Sequence, residues 1–148
     1  MNIMEIINRQ ANYNYFILEK YSAGIVLKGT EIKSIRAGKC NIKDSYAIIK
    51  NNEVYLLNTN ISTYDKGNIF NHEETRTRKL LLHKKEILKI KNKIEQDGLT
   101  LIPLKIYFEK NKAKVLLGLC KGKKTYDKKE TIKEKDIKRE LERNNKYR

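Results

Sequence analysis

Leu99-Thr100-Leu101-Ile102-Pro103-Leu104-Lys105-Ile106-Tyr107-Phe108 alternates in a way only a strand can use. Ile102, Leu104, Ile106 and Phe108 fall on one face by period two. Beyond Asn111, the residues Ala113, Val115, Leu117 and Leu119 alternate in the same way, so the two runs read as a hairpin. Pro103 has no N–H to give a ladder, which argues for an edge or a bulge at that point.

Similar signals lie toward the N-terminus. Tyr46-Ala47-Ile48-Ile49-Lys50 and Val54-Tyr55-Leu56-Leu57 flank Asn51-Asn52, a pair that tolerates the positive φ of a tight turn. Tyr13 to Lys20 and Ala23 to Lys28 are β-branched and aromatic runs bounded by turn residues. Two segments read as helices. Thr30 to Ala37 is short, capped by Thr30 and stopped by Gly38; Lys84 to Gln96 carries Ile87, Leu88, Ile90 and Ile94 at helical spacing, with Gly98 as its stop. About six antiparallel strands, two helices and no regular βα alternation predict a mainly β fold: a small closed barrel with flanking helices, of which the OB-like barrel is one form.

At 148 residues the chain predicts one domain. Its 33 Lys and Arg against 18 Asp and Glu leave +15, which points to a polyanionic partner, nucleic acid ahead of a membrane surface. Apolar runs are far shorter than the roughly 20 residues of a membrane span, and no secretory signal is visible at the N-terminus. Cys40 and Cys120 match no metal or redox spacing, so a reduced, cytoplasmic setting is expected. Residues 1–70 and 71–118 carry +3 and +6, and residues 119–148 another +6 in 30 positions, so charge thickens as apolar content thins. A barrel domain is therefore placed in 1–120 and a basic tail in 121–148. Ile132, Ile137 and Leu141 form a weak stripe, and Glu134–Lys138 and Glu142–Lys146 are favourable i,i+4 pairs. The tail is expected to be disordered when free and helical on a receiving surface.

Catalytic constellations are missing from the sequence. There is no Gly-x-Ser-x-Gly, no His-Glu-x-x-His and no paired cysteine motif. His72 and His83 flank a basic loop instead of forming an acid/base dyad. Gly118 to Lys124 has the wrong glycine spacing for a phosphate loop and no Ser or Thr after the lysine. Asp44, Glu31 and Glu53 are too scattered in sequence to suggest a metal-dependent nuclease. The expectation is no enzyme, no cofactor and no metal.

Binding signals are easier to find. Arg76-Thr77-Arg78-Lys79 runs into Leu80-Leu81-Leu82, so that three cations beside a buried anchor would hold guanidinium groups against phosphates; the alternative is a solvated helix start. The loop Ile61 to Thr75, with Tyr64, Gly67, Asn68, Phe70 and His72, mixes aromatics with polar groups suited either to stacking on unpaired bases or to pinning the loop.

Together these motifs resemble the bacterial SsrA-binding protein family, also called small protein B. The resemblance rests on Asn8-Arg9, Ala23-Gly24 through Ala37-Gly38-Lys39, and Asp44-Ser45-Tyr46. It continues with Phe70-Asn71-His72, Arg76 to His83, Pro103-Leu104-Lys105 and Lys121-Gly122-Lys123-Lys124. It implies an OB-like barrel that holds the tRNA-like part of transfer-messenger RNA (tmRNA), and a tail that reads the decoding centre and empty messenger channel of stalled ribosomes. It implies RNA contacts at Asn8, Arg9, Lys33, Arg36, Lys39, Arg76, Arg78, Lys79, Leu81 and His83. It implies ribosome contacts, against small-subunit rRNA at the decoding centre, at Gly122, Lys123, Lys124, Tyr126, Asp127, Lys128 and Lys129. Elongation factor Tu would be met indirectly, through the aminoacylated RNA, and the chain would act as a monomer. Two departures stand out. Ser22 replaces the glutamate the family usually carries before Ala23-Gly24, and Lys129 stands where arginine is common. A structural ribosomal protein binding folded rRNA is the alternative reading.

Overall fold

The structure, a computed structural model, describes residues 5–63, 71–130, 132 and 139. In chain order its elements are β1 (Ile6–Ile7), α1 (Ala11–Asn14), β2 (Tyr15–Ile25), α2 (Gly29–Arg36), β3 (Cys40–Asn41), β4 (Tyr46–Lys50), β5 (Glu53–Leu57), β6 (Asn60–Ile61), β7 (Arg78–Leu81), α3 (Lys84–Asp97), β8 (Thr100–Glu109) and β9 (Lys112–Gly122). Both predicted tight turns form as expected. Asn51 and Asn52 take φ of 53° and 60°, and Lys110 and Asn111 take 50° and 64°, the left-handed pairs that match strand twist in a two-residue hairpin.

The strands pair in the order β1-β8-β4-β5-β7-β2-β9, all antiparallel, and β8 also pairs with β9. That last pairing joins the two sides, so six strands form a closed OB-like ring. β1 extends the edge of β8, and β3 and β6 make a separate two-stranded ribbon. The core inside the ring includes Val54, Leu56, Leu80, Leu101, Ile106, Val115, Leu117 and Leu119, capped by Ile35 of α2 and by Ile87 and Ile90 of α3. Gly98 ends α3 in the left-handed region at φ 63°, where any other residue would carry a Cβ penalty.

Three sequence expectations change. The single-face reading of β8 breaks at Pro103, where the register shifts between Pro103 and Lys105. The bulge inverts the parity: Leu101 and Ile106 enter the main core, while Ile102 and Leu104 join Ala11 and Cys120 in a second, smaller cluster. The two N-terminal runs are one strand, β2. Tyr21 and Ser22 between them read as turn residues, yet the Tyr21 hydroxyl donates to Glu19 and the Ser22 hydroxyl bonds that of Tyr107 at 2.6 Å, so their polarity is satisfied with the strand unbroken. Finally, Thr30 is not the cap of α2. That helix starts one residue earlier, Glu31 accepts the Lys28 N–H at 2.8 Å, and Thr30 turns to His72 instead.

β9 continues to Gly122, two residues past the expected domain boundary, and residues 125–130 are helical. Tyr64, Gly67, Asn68 and Phe70, and the tail stripe residues Ile137 and Leu141 with both i,i+4 pairs, lie outside the described residues. Among the described residues no helix is long and apolar enough to cross a membrane.

Candidate nucleic-acid interface

β7 begins at Arg78, and its burial alternates: Arg78 and Leu80 point inward, Lys79 and Leu81 outward. Arg78 is fully buried. Its Nε donates to Glu31 Oε2 at 2.6 Å, its Nη1 to the Thr59 carbonyl at 2.7 Å, and its Nη2 to the carbonyls of Glu73 and Glu74 at 3.3 and 3.1 Å. Arg76 binds the same carboxylate at 2.5 Å and reaches the Val26 carbonyl at 3.3 Å. Burial pushes the Glu31 carboxyl up, but hydrogen bonds from Arg76, the Lys28 backbone and Arg78 outweigh it and hold the group below its ordinary value. His72 completes the cluster. Its Nε2–H donates to the Ile61 carbonyl at 2.8 Å, which leaves Nδ1 to accept the Thr30 hydroxyl at 2.8 Å.

This geometry corrects one expected RNA contact. Arg78 cannot reach a phosphate, because every direction its guanidinium faces is already occupied inside the protein. It is neither a phosphate ligand nor part of a solvated helix start; it bolts α2 to β7 and to the backbone at Thr59, Glu73 and Glu74. Arg76 is mostly committed to Glu31, with 23% of its side chain exposed. Lys79 is exposed and paired with Glu53 at 3.0 Å. Asn8 also has a structural role. Its N–H donates to the Leu104 carbonyl at 2.8 Å and its Nδ2 to the Pro103 carbonyl at 3.1 Å, pinning the N-terminus to β8 at the bulge. Arg9 beside it is exposed.

Outside that bolted cluster lies a groove of about 660 Å³. Ser22, Gly24 and Ile25 of β2 form one wall, Leu81 and His83 a second, and Lys112 and Lys114 of β9 a third, with Ile32 of α2 and Glu86 of α3 at its ends. Leu81 is 52% exposed, unusual for a leucine in a strand. It lies against Gly24, where a Cβ would stand 3.3 Å from the Leu81 Cβ, a tight approach that any side chain there would have to push back slightly. His83 is the N-cap residue of α3, its backbone N–H donating to Glu86 Oε1 at 3.2 Å, and the exposed residue lines the groove. Ser22 donates to or accepts from the Tyr107 hydroxyl at 2.6 Å. Exposed Lys33 and Arg36 extend the basic surface along α2, with exposed Lys39 just beyond it. Arg36 stacks 4.3 Å from the centre of the Phe108 ring, tying α2 to the hairpin end that supplies the third wall. The groove thus brings together apolar side chains, two lysines of β9, one glutamate and one histidine, with further cations on α2 beside it, a combination suited to a nucleic-acid surface.

The expected ribosome-contacting residues lie elsewhere. Gly122 pairs with Tyr15 of β2, and Lys123 follows it against α1. The Lys124 N–H donates to Asp127 Oδ2 at 3.1 Å, and the Lys128 N–H to the Lys124 carbonyl at 3.1 Å. Tyr126 is 64% exposed, and Lys129 is exposed as well. Sequence reading missed Glu31 as the shared buried partner of Arg76 and Arg78, and His72 as the partner of Thr30. A lone carboxylate in a stretch otherwise rich in Lys and Arg was the available signal for Glu31; nothing local marked His72 as buried. Among the described residues no group of three or more His, Cys, Asp or Glu side chains is arranged to hold a metal ion.

The comparisons with known proteins agree with one another. The SmpB protein family model matches residues 5–147. The SsrA-binding protein of Trichodesmium erythraeum (strain IMS101) is 58% identical over 137 residues, 92% of this chain and 88% of that one. That of Shouchella clausii (strain KSM-K16) is 59% identical over 136 residues, 92% and 87%. A chain in the solved structure "tmRNA-SmpB: a journey to the center of the bacterial ribosome" superposes with a TM-score of 0.69 at 53% identity, over 82% of this chain and 86% of that chain. Groove, closed ring and end-to-end similarity lead to one conclusion: this chain belongs to the SsrA-binding protein (SmpB) family.

Proposed function

We propose that this chain binds the tRNA-like domain of tmRNA and delivers it to stalled ribosomes for trans-translation. The observation that carries this reading is the groove, which brings Ser22 of β2 together with Leu81 and His83, far from it in sequence, among apolar side chains and the lysines Lys112 and Lys114. Relatives that cover this chain almost entirely are named for binding SsrA RNA, and the solved neighbour is named for tmRNA, SmpB and the ribosome.

RNA is held by Leu81 and His83 in the groove and by Arg9, Lys33, Arg36, Lys39 and Lys79 at its basic margins. Arg76 supports them mainly through Glu31. The segment from Gly122 to Lys129 meets the small-subunit rRNA at the decoding centre, with Tyr126 exposed for stacking. The division into a binding body and a ribosome-sensing tail follows the charge and burial patterns. The chain acts in the cytoplasm as a monomer, meets elongation factor Tu only through aminoacylated tmRNA, and supplies binding and placement without catalysing a reaction.

The test is a pull-down from bacterial lysate with sequencing of the bound RNA. Enrichment of tmRNA is expected, with the complex weakening as salt rises because phosphate contacts release counterions. Recovery of ribosomal RNA alone would return the chain to a structural ribosomal role.

A further inference from the structure

The chain does not leave the barrel freely at the end of β9. Past Gly122, the Lys123 N–H still donates to the Asn14 carbonyl at 2.9 Å, continuing the β2–β9 ladder one step beyond the strands. The Lys123 ammonium donates to the Asn12 carbonyl at 2.7 Å and stands 4.8 Å from the centre of the Phe16 ring. One turn further, the Lys128 ammonium stands 5.7 Å from the Tyr13 ring. Asn12 and Asn14 belong to α1, whose carbonyls lack helical partners in so short a helix, and a lysine supplies what they lack.

We propose that the α1–β2 corner is a dock for the start of the C-terminal segment, with Tyr13 and Phe16 as positioning residues that grip Lys128 and Lys123 and set the direction in which the tail leaves the body. This inference rests on the ribosome-rescue reading and adds a body surface to it. Residues 125–130 open a helical segment, and nucleating a first turn is the costly step of helix formation. They have a local cap in Asp127, and the dock adds contacts at both ends of the first turn. With Lys128 turned to the body, Tyr126 is left outward at 64% exposure, available to a ribosomal base. Phe16 is itself 42% exposed, so the ring is not required by the core and its face is open to the lysine.

The dock predicts a body variant that behaves like a tail variant. Each exposed cation–π contact shifts an equilibrium by about two- to fivefold, so losing both should cut the docking equilibrium constant roughly 4- to 25-fold. The variant Tyr13→Leu with Phe16→Leu keeps apolar bulk and removes the ring faces; Tyr13→Phe with Phe16→Tyr keeps the faces. In the parent full-length protein, NMR should find the Lys123 and Lys128 side-chain methylenes shifted upfield by the rings. The leucine variant should lose those shifts, keep tmRNA affinity within about twofold, and tag stalled ribosomes several-fold less well; the face-keeping variant should match the parent in all three. Absence of ring shifts in the parent would overturn the dock itself. Normal tagging by the leucine variant after its shifts are lost would overturn its functional part, and so would loss of tmRNA affinity in that variant. Failure of the parent to bind tmRNA at all would instead strike the ribosome-rescue reading and leave the NMR result standing.

Discussion

Glu31 and Arg78 lie 47 positions apart, are both fully buried, and meet at 2.6 Å behind the groove. Their pairing fastens α2 to β7, two elements that each contribute a residue to the groove. Glu31→Gln leaves Arg78 charged and without a counter-ion, and breaking such a buried pair costs about 3–5 kcal/mol. The expected outcome is a large drop in the urea midpoint with an unchanged m-value. Arg78→Ala should be similarly unstable. Any loss of RNA binding in that variant should follow the unfolded fraction, and the folded remainder should keep the parent's salt slope. A flatter slope in fully folded Arg78→Ala protein would make Arg78 a phosphate contact after all.

Acid should act through the same carboxylate. Because its folded value is depressed, Glu31 contributes stability that is fully present above the ordinary glutamate value of about 4.3 and is lost as pH falls through the folded value. Glu19, held low by Lys93, and Glu53, held low by Tyr55 and Lys79, push in the same direction from the surface. The share belonging to Glu31 is read as a difference. Stability of the parent should fall more steeply than that of Glu31→Gln between about pH 5 and pH 3. Parallel curves would remove Glu31 from the acid response.

Much of this was legible in the sequence, and the failures have physical causes. Asn51-Asn52 and Gly98 announced their backbone conformations because few residues adopt positive φ at low cost. The alternation of Val115, Leu117 and Leu119 announced a strand with a face in the main core, while the burial of Cys120 on the other face, in the second cluster, went unannounced. The Arg76-to-Lys79 stretch misled because charge was counted before period. Once Arg78 opens a strand, period two places it with Leu80 in the core and sets Lys79 with Leu81 outside. Its burial depends on Glu31, a partner in another element that no local pattern reveals. The parity change in β8 was half visible: Pro103 marked the irregularity, while its consequence, two separate apolar clusters, needed the register of β9.

In the groove, two substitutions separate shape from charge. Leu81 is already half exposed, so Leu81→Asn should change stability by less than about 0.5 kcal/mol. It should nevertheless weaken tmRNA binding by about tenfold, roughly 1.4 kcal/mol, by removing apolar contact area. His83→Asn keeps a favoured residue at the start of α3 and should stay within a few-fold of the parent. His83→Glu sets a second carboxylate beside Glu86 and faces it toward phosphates, so it should lose at least about tenfold. Binding measured at one fixed salt concentration checks all three. Equal affinities would take Leu81 and His83 out of the site.

Removing the chain after Lys124 shows whether binding and rescue are separable. The cut deletes 9 basic and 6 acidic residues, leaving 24 and 12, so the body keeps +12 of the original +15. Among the described residues the buried apolar core ends at Cys120, and Lys123 retains its contacts with Asn12, Asn14 and Phe16. Folding should therefore be unchanged, with a urea midpoint close to that of the full chain. Affinity for tmRNA should also survive, because it follows the cations placed near phosphates, and the groove and α2 keep theirs. Tagging on stalled ribosomes should disappear with Tyr126 and the basic residues beyond it, since stacking of one aromatic on a base is worth about 1–3 kcal/mol and nothing in the body replaces it. A truncated protein that loses tmRNA affinity by orders of magnitude would place the tail inside the RNA site. One that still tags normally would leave the docked segment without a part in rescue.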